Sequence, residues 1–161
     1  LQAEWHFIGR IQSNKTRSIA ENFDWVHSVD KPNLARRLND QRPAHLRPLN
    51  VCLQVKLDQE DSKAGLSPEQ AAELATQCHE LPRLRLRGLM TLPAVSEDLS
   101  AQRLPFRQLR RLQERLSTIE YPLDTLSMGM SGDLEAAIAE GATVVRIGTA
   151  IFGPRNQATM R

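Results

Sequence analysis

The sequence predicts an α/β fold of TIM type, a (β/α)8 barrel of which this chain supplies about six βα units as one domain over residues 1–161. Three observations lead there. Strand-like apolar runs alternate with helix-like runs along the whole chain, the pattern of a parallel sheet covered by helices. No Gly-x-Gly-x-x-Gly turn opens the chain, which disfavours a dinucleotide-binding, doubly wound sheet. The turns rich in Gly, Ser and Thr lie at the C-terminal end, where a barrel places its phosphate site. Leu1 is followed almost at once by a strand-like segment, so the two strands missing from a count of eight are expected ahead of it.

The elements follow in order. Trp5–Ile8 is apolar and aromatic and is broken by Gly9, after which Gln12 to Asn22 carries helical spacing through Ile11, Ile19 and Phe23. Trp25–Val29 is a short strand candidate. Asp30 offers an N-cap and Pro32 a first turn for a helix bearing Leu34 and Leu38, which gives way to a loop at Pro43 and Pro48. Leu49–Leu57 reads as a buried strand. Ser67-Pro68-Glu69-Gln70 is a capping box with proline in the first turn, opening a helix to about Leu81. Leu84–Met90 is the next strand. Leu99 to Ile119 is a long Arg-rich helix that Pro105 would kink or restart. Thr125–Met128, a helix from Ser131 to Glu140 closed by Gly141, and a sixth strand at Thr143–Ile147 complete the series.

Composition narrows the function. With 40% apolar and 25% charged residues and a net charge of +2, the chain reads as an ordinary globular domain with no call for nucleic acid or membrane. No apolar run approaches the ~20 residues that span a bilayer, and no signal peptide pattern opens the chain, so a cytoplasmic location is expected. Cys52 and Cys78 read as reduced thiols, and the four histidines show no metal-ligand spacing. Arg103, Arg107, Arg110, Arg111 and Arg115 fall partly on one helix face, while Arg83, Arg85 and Arg87 alternate along a strand. With aromatics at 4% and acids nearly balancing bases, these arginines read as a solvated face with local ion pairs.

The candidate chemistry lies near the C-terminus. In Arg146-Ile147-Gly148-Thr149, a strand would end at Ile147 and Gly148 would let backbone approach a ligand. The amides of Gly148 and Thr149, with the Thr149 hydroxyl, can bind phosphate oxygens, and Arg146 could point inward at an anion or a ring nitrogen. A buried strand, a glycine turn and a structural ion pair account for the same residues equally well. Ser127-Met128-Gly129-Met130-Ser131 is a second such turn, with Ser131 either capping the next helix or meeting a phosphate.

Trp5-His6-Phe7-Ile8-Gly9 with Gln12-Ser13-Asn14-Lys15, Ser62-Lys63-Ala64-Gly65, Arg87-Gly88-Leu89-Met90, Leu126-Ser127-Met128-Gly129-Met130-Ser131 and Arg146-Ile147-Gly148-Thr149-Ala150-Ile151-Phe152-Gly153 together resemble the pyridoxal 5′-phosphate (PLP) homeostasis protein family. The resemblance runs from end to end. It implies a single barrel similar to the N-terminal domain of alanine racemase, with PLP held through a lysine on the first strand. It also implies a monomer that buffers PLP and passes it to apo-enzymes without catalytic turnover. Arg146 would face the pyridine nitrogen, Ser131, Gly148 and Thr149 would hold the phosphate, and Ser127 and Met128 belong to the same turn. Lys63 falls where the racemase barrel places a cofactor-side arginine. The family's lysine belongs to the first two strands, so the six strands here would be its third to eighth, and this chain alone is expected to bind PLP weakly or not at all. The alternative is a racemase-like enzyme of the same barrel type. That architecture needs a tyrosine acid/base on a second domain, and Tyr121, the only tyrosine, falls in a helix-to-strand loop.

Overall fold

A computed structural model of the chain describes residues 3–57 and 64–153. Strand β1 (His6–Phe7) is followed by a short 3-10 turn (Ser13–Lys15) and helix α1 (Thr16–Asn22). Then come β2 (Trp25–Val29), α2 (Pro32–Gln41), β3 (Leu49–Gln54) and α3 (Pro68–His79). The series ends with β4 (Leu84–Met90), α4 (Leu99–Leu116), β5 (Thr125–Ser127), α5 (Leu134–Ala139) and the single turn α6 (Thr149–Phe152).

Local chemistry explains where the helices begin. The Ser67 hydroxyl accepts from the Gln70 amide while the Gln70 side chain accepts from the Ser67 amide, so the expected capping box forms and opens α3. We expect Ser67→Ala to cost about 1 kcal/mol in urea unfolding, and an unchanged midpoint would mean that the cap adds nothing. Asp98 caps α4, its carboxylate accepting from the Ala101 amide at 2.7 Å, and α4 runs through Pro105 without a break. The expected Asp30 cap lies one residue too early. Lys31 occupies the N-cap of α2 with no side-chain bond, and Pro32 supplies the first turn.

The five strands of the described residues form one parallel sheet in the order β1-β2-β3-β4-β5. Between the sheet and α2, α3 and α4 lies the main core, in which Val26, Val51, Leu53 and Leu89 meet Leu38, Leu74, Phe106 and Leu109. Each such side chain contributes about 1.5–3 kcal/mol by leaving water.

The sheet is strongly curled. Strands pack about 4.8 Å apart, so β2 and β5, three steps from one another, would lie roughly 14 Å apart in a flat sheet. Yet the His27 ring on β2 reaches the Ser127 hydroxyl on β5 at 2.7 Å. The two strands therefore face each other across a concave interior, and the architecture is a parallel β/α half-barrel of five strands.

The sixth strand expected at Thr143–Ile147 does not form as a strand. Val144 pairs with Ser127 in a single parallel bridge, with Val144 N donating to Leu126 O and Met128 N to Val144 O. The next rung would take Arg146 N to Met128 O, but it goes to Gly129 O instead. Gly129 has φ +94°, a conformation that L side chains rarely adopt, and the turn it makes shifts the ladder by one residue.

Candidate functional site

At the carboxyl ends of the strands the half-barrel opens into a cleft of about 1200 Å3, lined among others by His6, His27, Ser131, Arg146, Gly148 and Thr149. Its floor is a continuous hydrogen-bonded chain. Arg146 donates through one Nη to Ser127 Oγ at 2.8 Å and through the other to the Thr91 carbonyl at 3.0 Å. Ser127 Oγ meets His27 Nδ1 at 2.7 Å, and His27 Nε2 meets His6 Nδ1 at 2.8 Å. Burial holds the His27 imidazole neutral, down to a pKa of about 4, with the neighbouring His6 and Arg146 adding to the effect. Burial also lowers the Arg146 pKa, opposed by the Asp133 carboxylate.

Beneath this chain the interior is closed by a second polar group. Arg87 pairs with Asp124 at 2.6 Å, donates to Asn50 Oδ1 at 3.2 Å and lies 4.7 Å over the Trp25 ring. His6 stacks on the same indole, with ring centroids 5.3 Å apart. Trp25, Cys52 and Met90 form a small buried cluster between the two polar levels.

The structure brings most of the expected residues together. Gly148 and Thr149 open α6 on the cleft wall, and among the described residues their amides have no hydrogen-bond acceptor. A Cβ built on Gly148 would meet nothing within 4 Å, so this backbone faces open space. Ser131 does not cap α5. Its hydroxyl accepts from the Ala150 amide at 3.2 Å and ties the two turns together, while the N-cap position falls to Asp133, whose carboxylate accepts from the Met130 amide. Ser127 forms part of the floor.

Met128 is not at the cleft. Successive strand residues point to opposite faces, so with Ser127 facing inward the Met128 side chain is buried in the outer core against the helices. Lys63 lies outside the described residues. His27, which the sequence reading passed over, is the central member of the floor. The available signal was a histidine alternating with Trp25 on the inner face of a wholly buried strand.

The class defined by this fold and site is a parallel β/α barrel-type domain with an open cleft at the carboxyl ends of its strands. Residues 1–156 match the family described as alanine racemase, N-terminal domain. The pyridoxal phosphate homeostasis protein of Pseudomonas aeruginosa is 59% identical over 156 residues, covering 97% of this chain and 66% of that protein. The protein of the same name in Haemophilus influenzae is 48% identical over 161 residues, covering 99% of this chain and 68% of that one. PipY of Synechococcus elongatus, solved with PLP bound, superposes with a TM-score of 0.85 at 38% identity, covering 95% of this chain and 72% of that one. A diaminopimelate decarboxylase of Helicobacter pylori, at 10% identity and a TM-score of 0.72, shares the fold alone. The chain therefore belongs to the alanine racemase N-terminal domain family, alongside the pyridoxal phosphate homeostasis proteins. It spans about two thirds of the length of those curated relatives.

Proposed function

We propose that this chain forms the phosphate- and ring-binding part of a PLP homeostasis protein that buffers and delivers the cofactor in the cytoplasm without catalytic turnover. The observation that carries the reading is the open, acceptor-free backbone at Gly148 and Thr149 beside the half-buried Arg146 guanidinium. These residues fit PLP. The two amides and the Thr149 hydroxyl suit phosphate oxygens, Ser131 braces the turn, and Arg146 lies at the floor where a pyridine ring would end. Bound PLP supplies a reactive aldehyde. An arginine opposite the ring nitrogen favours its unprotonated form, which weakens the ring as an electron sink and suits a carrier better than a catalyst.

The relatives are longer than this chain, and in this reading their additional length supplies the first two barrel strands with the PLP-binding lysine. The five strands and the Val144 bridge would then be strands three to eight of a (β/α)8 barrel. Among the described residues none favours the racemase-like alternative: Tyr121 stacks on His79, with ring centroids 3.6 Å apart, outside the cleft.

The test is Gly148→Leu in the whole protein. The new side chain enters open space, so thermal stability stays near the parent value while PLP binding weakens at least tenfold, about 1.4 kcal/mol. Unchanged PLP affinity would sink the assignment of this turn.

A further inference from the structure

The floor of the cleft has a direction that its distances alone do not state. Ser127 Oγ has two neighbours, the Arg146 guanidinium and His27 Nδ1. Arg146 can only donate. If His27 Nδ1 also carried a proton, Ser127 would accept twice and its own hydrogen would need a third partner. Ser127 is fully buried, and among the described residues no third partner lies within hydrogen-bonding distance. A buried hydroxyl hydrogen left unpaired costs about 1–3 kcal/mol. The arrangement that satisfies every group has Ser127 donating to a bare His27 Nδ1. A neutral His27 then carries its proton on Nε2 and donates it to a bare His6 Nδ1, at 2.8 Å. His6 in turn keeps its proton on Nε2. Each bond polarises the next in the same sense.

We propose that His27 is a positioning residue that propagates the charge of Arg146 to His6 through a one-way chain, Arg146 to Ser127 to His27 to His6. The chain fixes the tautomer of a histidine on β1 from a cation that follows β5. The polar floor then offers donors at both ends, the guanidinium at one and the His6 Nε2–H at the other. Such a floor selects a ligand whose ring edge accepts hydrogen bonds and rejects one that must donate them. Histidine is needed at position 27 because a neutral imidazole alone offers one acceptor and one donor on opposite sides of a small rigid ring. The groups packed around it are His6 from β1, Trp25 on its own strand with ring centroids 5.7 Å away, Ser127 from β5 and Arg146. None is an acid that would favour a charged imidazole.

This inference rests on the proposed ligand cleft, but its test reads the chain of bonds and not the ligand. Histidine labelled with 15N in this protein is observed by long-range 1H–15N NMR at neutral pH. His6 and His27 should both appear as single Nε2–H tautomers. Ser127→Ala should move both ring nitrogens of His6 toward averaged positions, although Ser127 does not touch His6, and Ser127→Thr should restore them. Arg146→Met, which removes the head of the chain but no hydrogen bond made by either histidine, should loosen the same signals and guards against a folding defect in Ser127→Ala. A His27 with its proton on Nδ1, or His6 signals indifferent to both changes, would overturn the proposal. PLP binding followed in parallel separates the two readings. Gly148→Leu with lost PLP binding and intact histidine signals leaves the chain of bonds standing. Disordered tautomers in a parent protein that still binds PLP would remove the chain and leave the cleft.

Discussion

Gly88→Ala will not yield a folded protein. Gly88 lies on β4 directly opposite Thr125 on β5, and a Cβ placed there would fall inside van der Waals contact of the Thr125 carbonyl oxygen and carbon. These are backbone atoms and cannot swing aside. The three rungs that join β4 to β5, at Gly88, Leu89 and Met90, must separate to make room. With them goes β5, whose inner face supplies Ser127 and whose outer face buries Leu126 and Met128. A loss above about 4–5 kcal/mol is exceptional for one substitution, yet here it removes a strand from a domain whose whole stability is on the order of 5–15 kcal/mol. Circular dichroism and soluble yield will report it. A Gly88→Ala protein that unfolds within about 1 kcal/mol of the parent would mean that β4 and β5 do not pair in this register.

The sequence discloses what is local and conceals what depends on meeting a distant residue. The Ser67 capping box, the proline start of α2 and the apolar runs of β3 and β4 are written in neighbouring residues, and the structure reproduces them. Thr143–Ile147 has the composition of a strand, but its pairing is decided by the positive φ of Gly129 some fifteen residues earlier, so the run ends as one bridge. At the cleft, Arg146, Gly148, Thr149 and Ser131 were legible as a group because turns bearing Gly, Ser and Thr after strand-like runs are a local pattern, and all four fall in its lining. His27 was not, because its partners are 21 and 100 residues away and become visible only when the sheet curls. Met128 misled for the opposite reason, since its motif neighbours face the cleft while strand alternation turns its own side chain outward.

The arginine face of α4 illustrates the same limit and carries the second large effect. Its spacing suggests solvated ion pairs, and Arg110 does pair with Glu114 at 3.4 Å. Three of the arginines instead converge on one carboxylate. Arg103 and Arg107 reach Glu140 Oε1 at 2.8 and 2.9 Å, and Arg110 reaches Oε2 at 3.5 Å. The Glu140 side chain is 3% exposed, whereas the three arginines are 38–41% exposed. An acid at a helix C-terminus opposes the dipole, and the cations of α4 offset that penalty while locking α5 against it. The segment that follows α5 carries Arg146, so this lock also sets one wall of the cleft. Glu140→Gln keeps the volume and removes the charge, and should cost on the order of 2 kcal/mol, as charge-assisted hydrogen bonds do. The melting temperature should then fall by roughly 5 °C. The hydrogen bonds from Arg107 and Arg103 hold the Glu140 carboxyl well below the usual range, at about 2 against 4.5. A folded pKa below the unfolded one means that the unfolded chain takes the proton first, so the stabilisation is complete above about pH 4.5 and fades as pH falls toward 2. The stability gap between parent and Glu140→Gln should therefore be constant from neutral pH to about 4.5 and close below it, as read from urea midpoints at successive pH values. A gap that is absent at pH 7, or that persists unchanged at pH 2, would return these arginines to the solvated face their spacing suggests.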